Sequence, residues 1–310
     1  MRNSEERYIS LLTDFGFKRV FSTVPNKDLL IDFLNSLFDG EQVVKDVTFL
    51  NSEHVGDVRS ERKAIFDVYC ENEQGEKFIV EMQNAYQTFF KDRSLYYATF
   101  PIREQAEKGD VWDYQLKHVY VVALLNYKMS DSAFSPDTIN HDIGLLDKQT
   151  HRVFNDKLTF KYVEISKFDK CLEELESNYD KWLYVLRNLS RLDSQPDYLR
   201  NEIFNRLFSE AEIAHFSKVE LREYEDSLKA YRDIKNSLDT AKAEGLAEGF
   251  GKGRVEGHAE GRAEGLVEGR AEGRAETLVE VAKNLLSIGT PIESIMKATG
   301  LSEEEIKSMT

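Results

Sequence analysis

The spacing of apolar residues changes along the chain, and each change predicts a different element. Residues 26–38 (NKDLLIDFLNSLF) place them at helical spacing, which predicts an amphipathic helix. Residues 46–50, 64–70 and 77–83 are short, β-rich and bounded by turn residues, so they read as strands. Residues 89–108 predict a helix that Pro101 must kink or divide. The run HVYVVALL at 118–125 is continuously apolar, as in a central strand buried on both faces. Two further strands are predicted around 152–154 and 158–165. From Ser166 to about Thr240 the strand signal stops. Segments such as CLEELESNYDKWLYVLRNL and YLRNEIFNRLFSEAEIAHF space their apolar residues as amphipathic helices do. An α/β part over 1–165 and a helical extension over 166–240 are expected.

Nine of the 17 glycines fall between Gly245 and Gly273, within a tetrad repeat (Ala/Val)-Glu-Gly-X that marks 241–277 as a separate segment. A four-residue step turns a helix by about 400°, so glycine and glutamate would form separate stripes winding slowly around it. Each interior glycine costs about 1 kcal/mol relative to alanine. The glutamates from Glu256 to Glu280 recur every four residues, the repulsive spacing. An isolated helix is therefore not expected. Two readings stand: self-association through the repeat, giving a homo-oligomer, or a flexible linker. Residues 278–310 predict short helices, with Thr290-Pro291-Ile292-Glu293 and Ser302-Glu303-Glu304-Glu305 as start signals. The pair looks like a helix-turn-helix with ATGLS as the turn. Its second helix opens on three glutamates that would repel phosphate, which favours a packing or oligomerisation module.

Charge narrows the function classes. The chain carries 41 Lys+Arg against 56 Asp+Glu, net −15. Basic and acidic counts are 15 and 21 over 1–120, 17 and 22 over 121–240, and 9 and 13 over 241–310, so no third of the chain is basic. Binding to DNA must then rest on a local site, because nucleic-acid binders ordinarily carry a basic footprint. The longest purely apolar stretch, 119–125, is far short of the roughly 20 residues a membrane helix needs. The opening MRNSEERYIS lacks the apolar centre of a signal peptide. Cys70 and Cys171 are too few for a disulfide framework. A cytoplasmic protein without membrane contact is expected. The six histidines show no zinc spacing, and GFGKGR at 249–254 lacks both the first glycine and the Ser/Thr of a phosphate loop.

The strongest local signal is the hairpin AIFDVYCENEQGEKFIVEMQ. Alternation puts Ile65, Asp67 and Tyr69 on one face, and Ile79, Glu81 and Gln83 on one face of the partner strand. With the turn centred on Gln74, Asp67 lies opposite Glu81, at a β-carbon distance of about 4.5–5.5 Å. Two carboxylates so close repel unless a cation or proton lies between them. A hard divalent ion suits such a pair, and the Gln83 amide would reach the same patch to orient water or a phosphate oxygen. The plain alternative is a solvated sheet face, on which Asp and Glu need no function. The apolar flanks Ile65, Phe66, Val68, Ile79, Val80 and Met82 argue that both faces are largely buried, where an uncompensated carboxylate pair is costly. Lys91 and Arg93, and the cluster Arg59, Arg62 and Lys63, are candidate phosphate contacts, with ordinary solvated surface as the competing reading.

The runs TDFGFKRVFS at 13–22, NKDLLIDFLNSLF, FDVYCENEQGEKFIVEMQ, and KDRSLYYATFPIREQAEKGDVWDYQLKHVYVVALLNY occur in order. Over residues 13–127 the chain resembles the recombination-promoting nuclease and transposase family of the PD-(D/E)XK nuclease superfamily. The resemblance implies a restriction-endonuclease-like αβββαβ core with a helical C-terminal extension. It also implies a metal-dependent DNA endonuclease, using Mg²⁺ or Mn²⁺ and acting in recombination or mobile-element biology. By position, the motif aspartate is Asp67 and the motif glutamate Glu81, both metal ligands. Gln83 stands where the superfamily pattern has lysine, and Asp14 is the candidate acidic residue of the first helix that completes the metal site. Phe66 replaces the motif proline. Gln83 brings no charge to a transition state, so the alternative is a non-catalytic DNA-associated or oligomeric scaffold that keeps the fold.

Overall fold

The structure, a computed structural model, describes residues 6–54, 64–106, 113–131 and 133–309. It divides into two units, up to Leu238 and from Asp239 onward. In the first unit, α1 (Asp14–Phe21) is opened by Thr13, whose hydroxyl accepts from the Gly16 N–H. Helix α2 (Lys27–Phe38) buries Leu29, Leu30, Phe33, Leu34, Leu37 and Phe38, the stripe its spacing predicts. There follow β1 (Val47–Phe49), the short β2 (Glu53–His54) and β3 (Ala64–Ile65), and the hairpin of β4 (Val68–Asn72) and β5 (Lys77–Gln83). Helix α3 (Phe90–Glu104) leads to β6 (Val119–Leu125), then β7 (Asn140–Leu146) and β8 (Val153–Val163). The helical extension comprises α4 (Asn178–Asn188), α5 (Glu202–Ala211) and the start of α6 (Lys218–Ser287).

Six strands form one mixed sheet in the order β1-β4-β5-β6-β8-β7, with β5, β6 and β8 parallel. Every residue of β6 is buried, as its unbroken apolar run requires. Alternation sends Val68, Cys70, Phe78, Val80, Val122 and Leu124 into a cluster with α1, α2, α4 and α5. It sends Tyr69, Ile79, Val119, Val121 and Ala123 into a second cluster with Phe90 and Ala98 of α3. Two helical layers thus sandwich the sheet, and the first includes Trp182, fully buried against Phe21, Phe33 and Phe204. This is the restriction-endonuclease-like α/β core with a helical extension that the resemblance implies.

Several expectations need correction. The strand expected over 64–70 is interrupted: β3 pairs with β2 in a separate two-stranded sheet, and β4 starts only at Val68. Pro101 does not divide helix α3, which ends at Glu104. The strands expected at 152–154 and 158–165 form one long β8, and its partner β7 escaped the sequence reading. The repeat is helical, for 241–277 lie within α6. Alanine, glutamate and arginine between the glycines are strong helix formers, and continuing an existing helix needs no new nucleus.

In the second unit, α7 (Ile292–Thr299) and α8 (Glu303–Lys307) pack Ile295 and Ile306 on Ala282 of α6. Gly300, at φ 75°, ends α7 in the left-handed conformation that glycine adopts without strain. Ser302 and Glu305 form the expected capping box of α8, whereas α7 begins after Pro291 and Thr290 does not cap it.

Candidate active site

The hairpin register places the two motif carboxylates together. Val68 pairs with Val80, Tyr69 with Ile79 and Cys70 with Phe78, so the expected turn centre is correct. At Asp67 the chain bends out of the ladder. The bend lets Phe66 and Tyr69, three residues apart, enter the same cluster, their rings 5.4 Å apart and edge-on. It also changes how the carboxylates meet. The Asp67 N–H donates to Glu81 Oε1 at 3.3 Å, and Asp67 Oδ2 accepts from the Met82 N–H at 2.9 Å. Each side chain thus bonds the other strand's backbone where a regular ladder would have paired amide with carbonyl. Glu81 and Gln83 continue the Ile79 face of β5 towards α3, and each is only 9% exposed.

Two cations reach the pair from different helices. Lys18 on α1 binds Asp14 at 2.7 Å and lies 4.0 Å from Asp67 Oδ1. Arg93 on α3 donates from Nη2 to Gln83 Oε1 and from Nη1 to Gln87 Oε1. Gln83 in turn donates from Nε2 to the Ala85 carbonyl at 2.9 Å. Of the sequence-derived residues, Asp67, Glu81 and Gln83 are therefore brought together. Asp14 joins them through Lys18, which it binds while Lys18 also approaches Asp67; the Asp14 charge adds to the upward pressure on Asp67, and its side chain is 64% exposed. Among the described residues no group of three or more His, Cys, Asp or Glu could hold a metal. Lys91 is ion-paired with Asp131, and Arg59, Arg62 and Lys63 lie outside the described residues.

Burial dominates the electrostatics. It pushes the Glu81 carboxyl from 4.5 up to about 8, with the Asp67 charge adding to it. Burial also raises Asp67, and the Met82 N–H and Lys18 offset this only in part. Burial alone would lower Lys18; the hydrogen bond to Asp14 and the charges of Asp14, Asp67 and Glu81 outweigh it, so its pKa is raised. Without a counter-ion the site thus favours holding a proton between its carboxylates. The donor set, two desolvated carboxylates, is of the hard oxygen type that suits Mg²⁺ or Mn²⁺. Lys18 was missed by the sequence reading, although its place four residues after Asp14, on the same helix face, was a usable signal.

Among the described residues no helix is long and apolar enough to cross a membrane. No curated protein and no solved structure matches the chain. Residues 275–310 match the C-terminal HTH domain of the Rpn/YhgA-like nuclease family. Residues 11–241, which carry the hairpin, both helices that supply the cations and the helical extension, match the family described as PD-(D/E)XK nuclease family transposase, and the chain belongs to that family.

Proposed function

We propose that the protein is a cytoplasmic, metal-dependent DNA endonuclease that hydrolyses phosphodiester bonds during recombination or mobile-element movement. The observation that carries this reading is the close Asp67–Glu81 pair, Glu81 buried near the end of β5 and Asp67 half-buried at the bend before β4, flanked by Lys18 and Arg93. A purely structural site would gain little from two desolvated carboxylates of like charge. Asp67 and Glu81 would hold the Mg²⁺ or Mn²⁺ ion. When bound, such an ion supplies Lewis acidity and neutralises phosphate charge. Asp67 is fixed by the Met82 N–H, so its free oxygen keeps a constant direction. Lys18 adds positive charge on the Asp67 side, and Asp14 holds it there. The helix-turn-helix match supports DNA as the partner against the packing module favoured by the sequence, although the Glu303, Glu304 and Glu305 start of α8 would have to face away from phosphate.

The test is nicking of supercoiled plasmid with Mg²⁺ or Mn²⁺ by the wild type, Asp67→Asn and Glu81→Gln, purified identically. Metal-dependent nicking by the wild type alone is expected. Equal nicking by all three places the chemistry elsewhere, and no nicking by any of them favours a DNA-associated scaffold.

A further inference from the structure

Arg93 has an unusual set of partners for a half-buried arginine. Both its bonded acceptors, Gln83 Oε1 and Gln87 Oε1, are neutral amides. Its guanidinium carbon lies 5.3 Å from the Phe90 ring centroid and 5.7 Å from that of Tyr97. Its Nε is buried without a hydrogen-bond partner. It forms no ion pair among the described residues, although the charges of Asp67 and Glu81 both feel it. An arginine kept for stability alone is normally paired with a carboxylate or left in water. A buried N–H left without a partner is costly. This guanidinium is instead gripped by amides and rings, with its charge uncancelled by any direct partner.

Gln83 explains the grip. Its oxygen takes the Arg93 Nη2–H and its nitrogen donates to the Ala85 carbonyl, so both ends of the amide are used and its orientation is fixed. Such a glutamine is poorly placed to orient a water. We infer that Arg93 is the phosphate-binding cation of this site, and that Gln83 is a positioning residue that aims the guanidinium. The inference rests on the endonuclease reading and names how its substrate is held. In the reaction the water oxygen bonds to phosphorus as the bond to the leaving sugar oxygen breaks; water loses one proton and the leaving oxygen gains one. Arg93 keeps its proton throughout and stabilises the charge that builds on the phosphoryl oxygens. A guanidinium suits that task, with planar paired donors matched to phosphate.

The experiment compares wild type, Arg93→Ala, Arg93→Lys and Arg93→Ala/Gln83→Lys for steady-state nicking in Mg²⁺, with thermal midpoints measured for each. Arg93→Ala is expected to lower kcat about 10²–10³-fold, the range for losing one preorganised donor, with a smaller change in KM. Millimolar guanidinium chloride should restore at least tenfold of that loss, while equal NaCl or urea should not. The double variant, which returns an ammonium to position 83, should also regain at least tenfold. Full activity in a folded Arg93→Ala protein overturns the inference and leaves the endonuclease reading intact. Loss that neither guanidinium nor Gln83→Lys repairs reduces Arg93 to a structural part and likewise overturns it. A wild type that does not nick overturns both.

Discussion

Replacing Glu81 by glutamine should stabilise the metal-free protein above neutral pH. The carboxyl is raised from 4.5 to about 8 by burial and then by Asp67. Below pH 4.5 it is protonated whether the chain is folded or not. Between 4.5 and about 8 the folded chain keeps a proton that the unfolded chain has lost, so folding weakens as pH rises, by up to about 1.4 kcal/mol per pH unit. Above 8 the whole cost is present, with a ceiling of roughly 5 kcal/mol at about 1.4 kcal/mol per pKa unit. Even a third of that moves the midpoint by about 3–7 °C, at roughly 2–4 °C per kcal/mol for a unit of this size. In Glu81→Gln the side-chain amide oxygen would still accept from the Asp67 N–H, so the change removes charge and little else. The assay is thermal unfolding in EDTA from pH 5.5 to 8.5, followed by near-UV circular dichroism, to which the buried Trp182 contributes. The wild-type midpoint should fall with pH more steeply than that of Glu81→Gln. Millimolar Mg²⁺ should stabilise the wild type most at the alkaline end, since the ion displaces the proton. Midpoints that track each other across the whole range would refute the reasoning.

Two further outcomes test the scaffold around the site. A β-carbon on Gly16 would sit 2.2 Å from the Ser10 carbonyl oxygen. Gly16→Ala should therefore cost about 2–3 kcal/mol or more in urea unfolding and weaken nicking by shifting Lys18, two residues further on; an unchanged urea midpoint would contradict the tight approach. Self-association through the repeat predicts that deleting residues 241–277 lowers the sedimentation coefficient to that of a single chain, and identical oligomeric state with and without the segment would remove the repeat as the contact.

What could be read from the sequence divides along a physical line. The hairpin register was legible because period-two alternation and one turn fix every pair, and Val68 does face Val80. Strand β6 was legible because burial on both faces leaves no polar position. Strand β7 was not, because its residues, NHDIGLL, lie at a sheet edge, largely exposed, and lack an apolar alternation. Its ladder with β8 also shifts register after Gly144, so no single period spans the pair. The bend at Asp67 depends on Phe66 reaching Tyr97 and Phe100, contacts 31 and 34 residues away in sequence. Helicity of the repeat was misjudged because glycine costs were summed as for an isolated peptide, whereas α6 is already nucleated at Lys218. The site divides the same way. Asp67, Glu81 and Gln83 sit on one local hairpin, while Lys18 and Arg93 come from helices before and after it.

That origin bears on why position 83 carries an amide. A lysine there would share the Glu81 face of β5, two residues along, and would carry its charge on a flexible four-carbon stem. On α3 the charge still acts on Asp67 and Glu81, but Arg93 is bound by two neutral amides and flanked by two rings, which fix its direction. A charge fixed in place before the substrate arrives needs no rearrangement as the transition state forms, which is the condition under which electrostatic stabilisation is largest. For a chain of net charge −15 this economy has a second effect. Lys18 and Arg93 are each held by fixed side-chain partners beside the carboxylate pair, so under the proposed reading recognition of DNA would depend on where charge is placed and not on how much the surface carries.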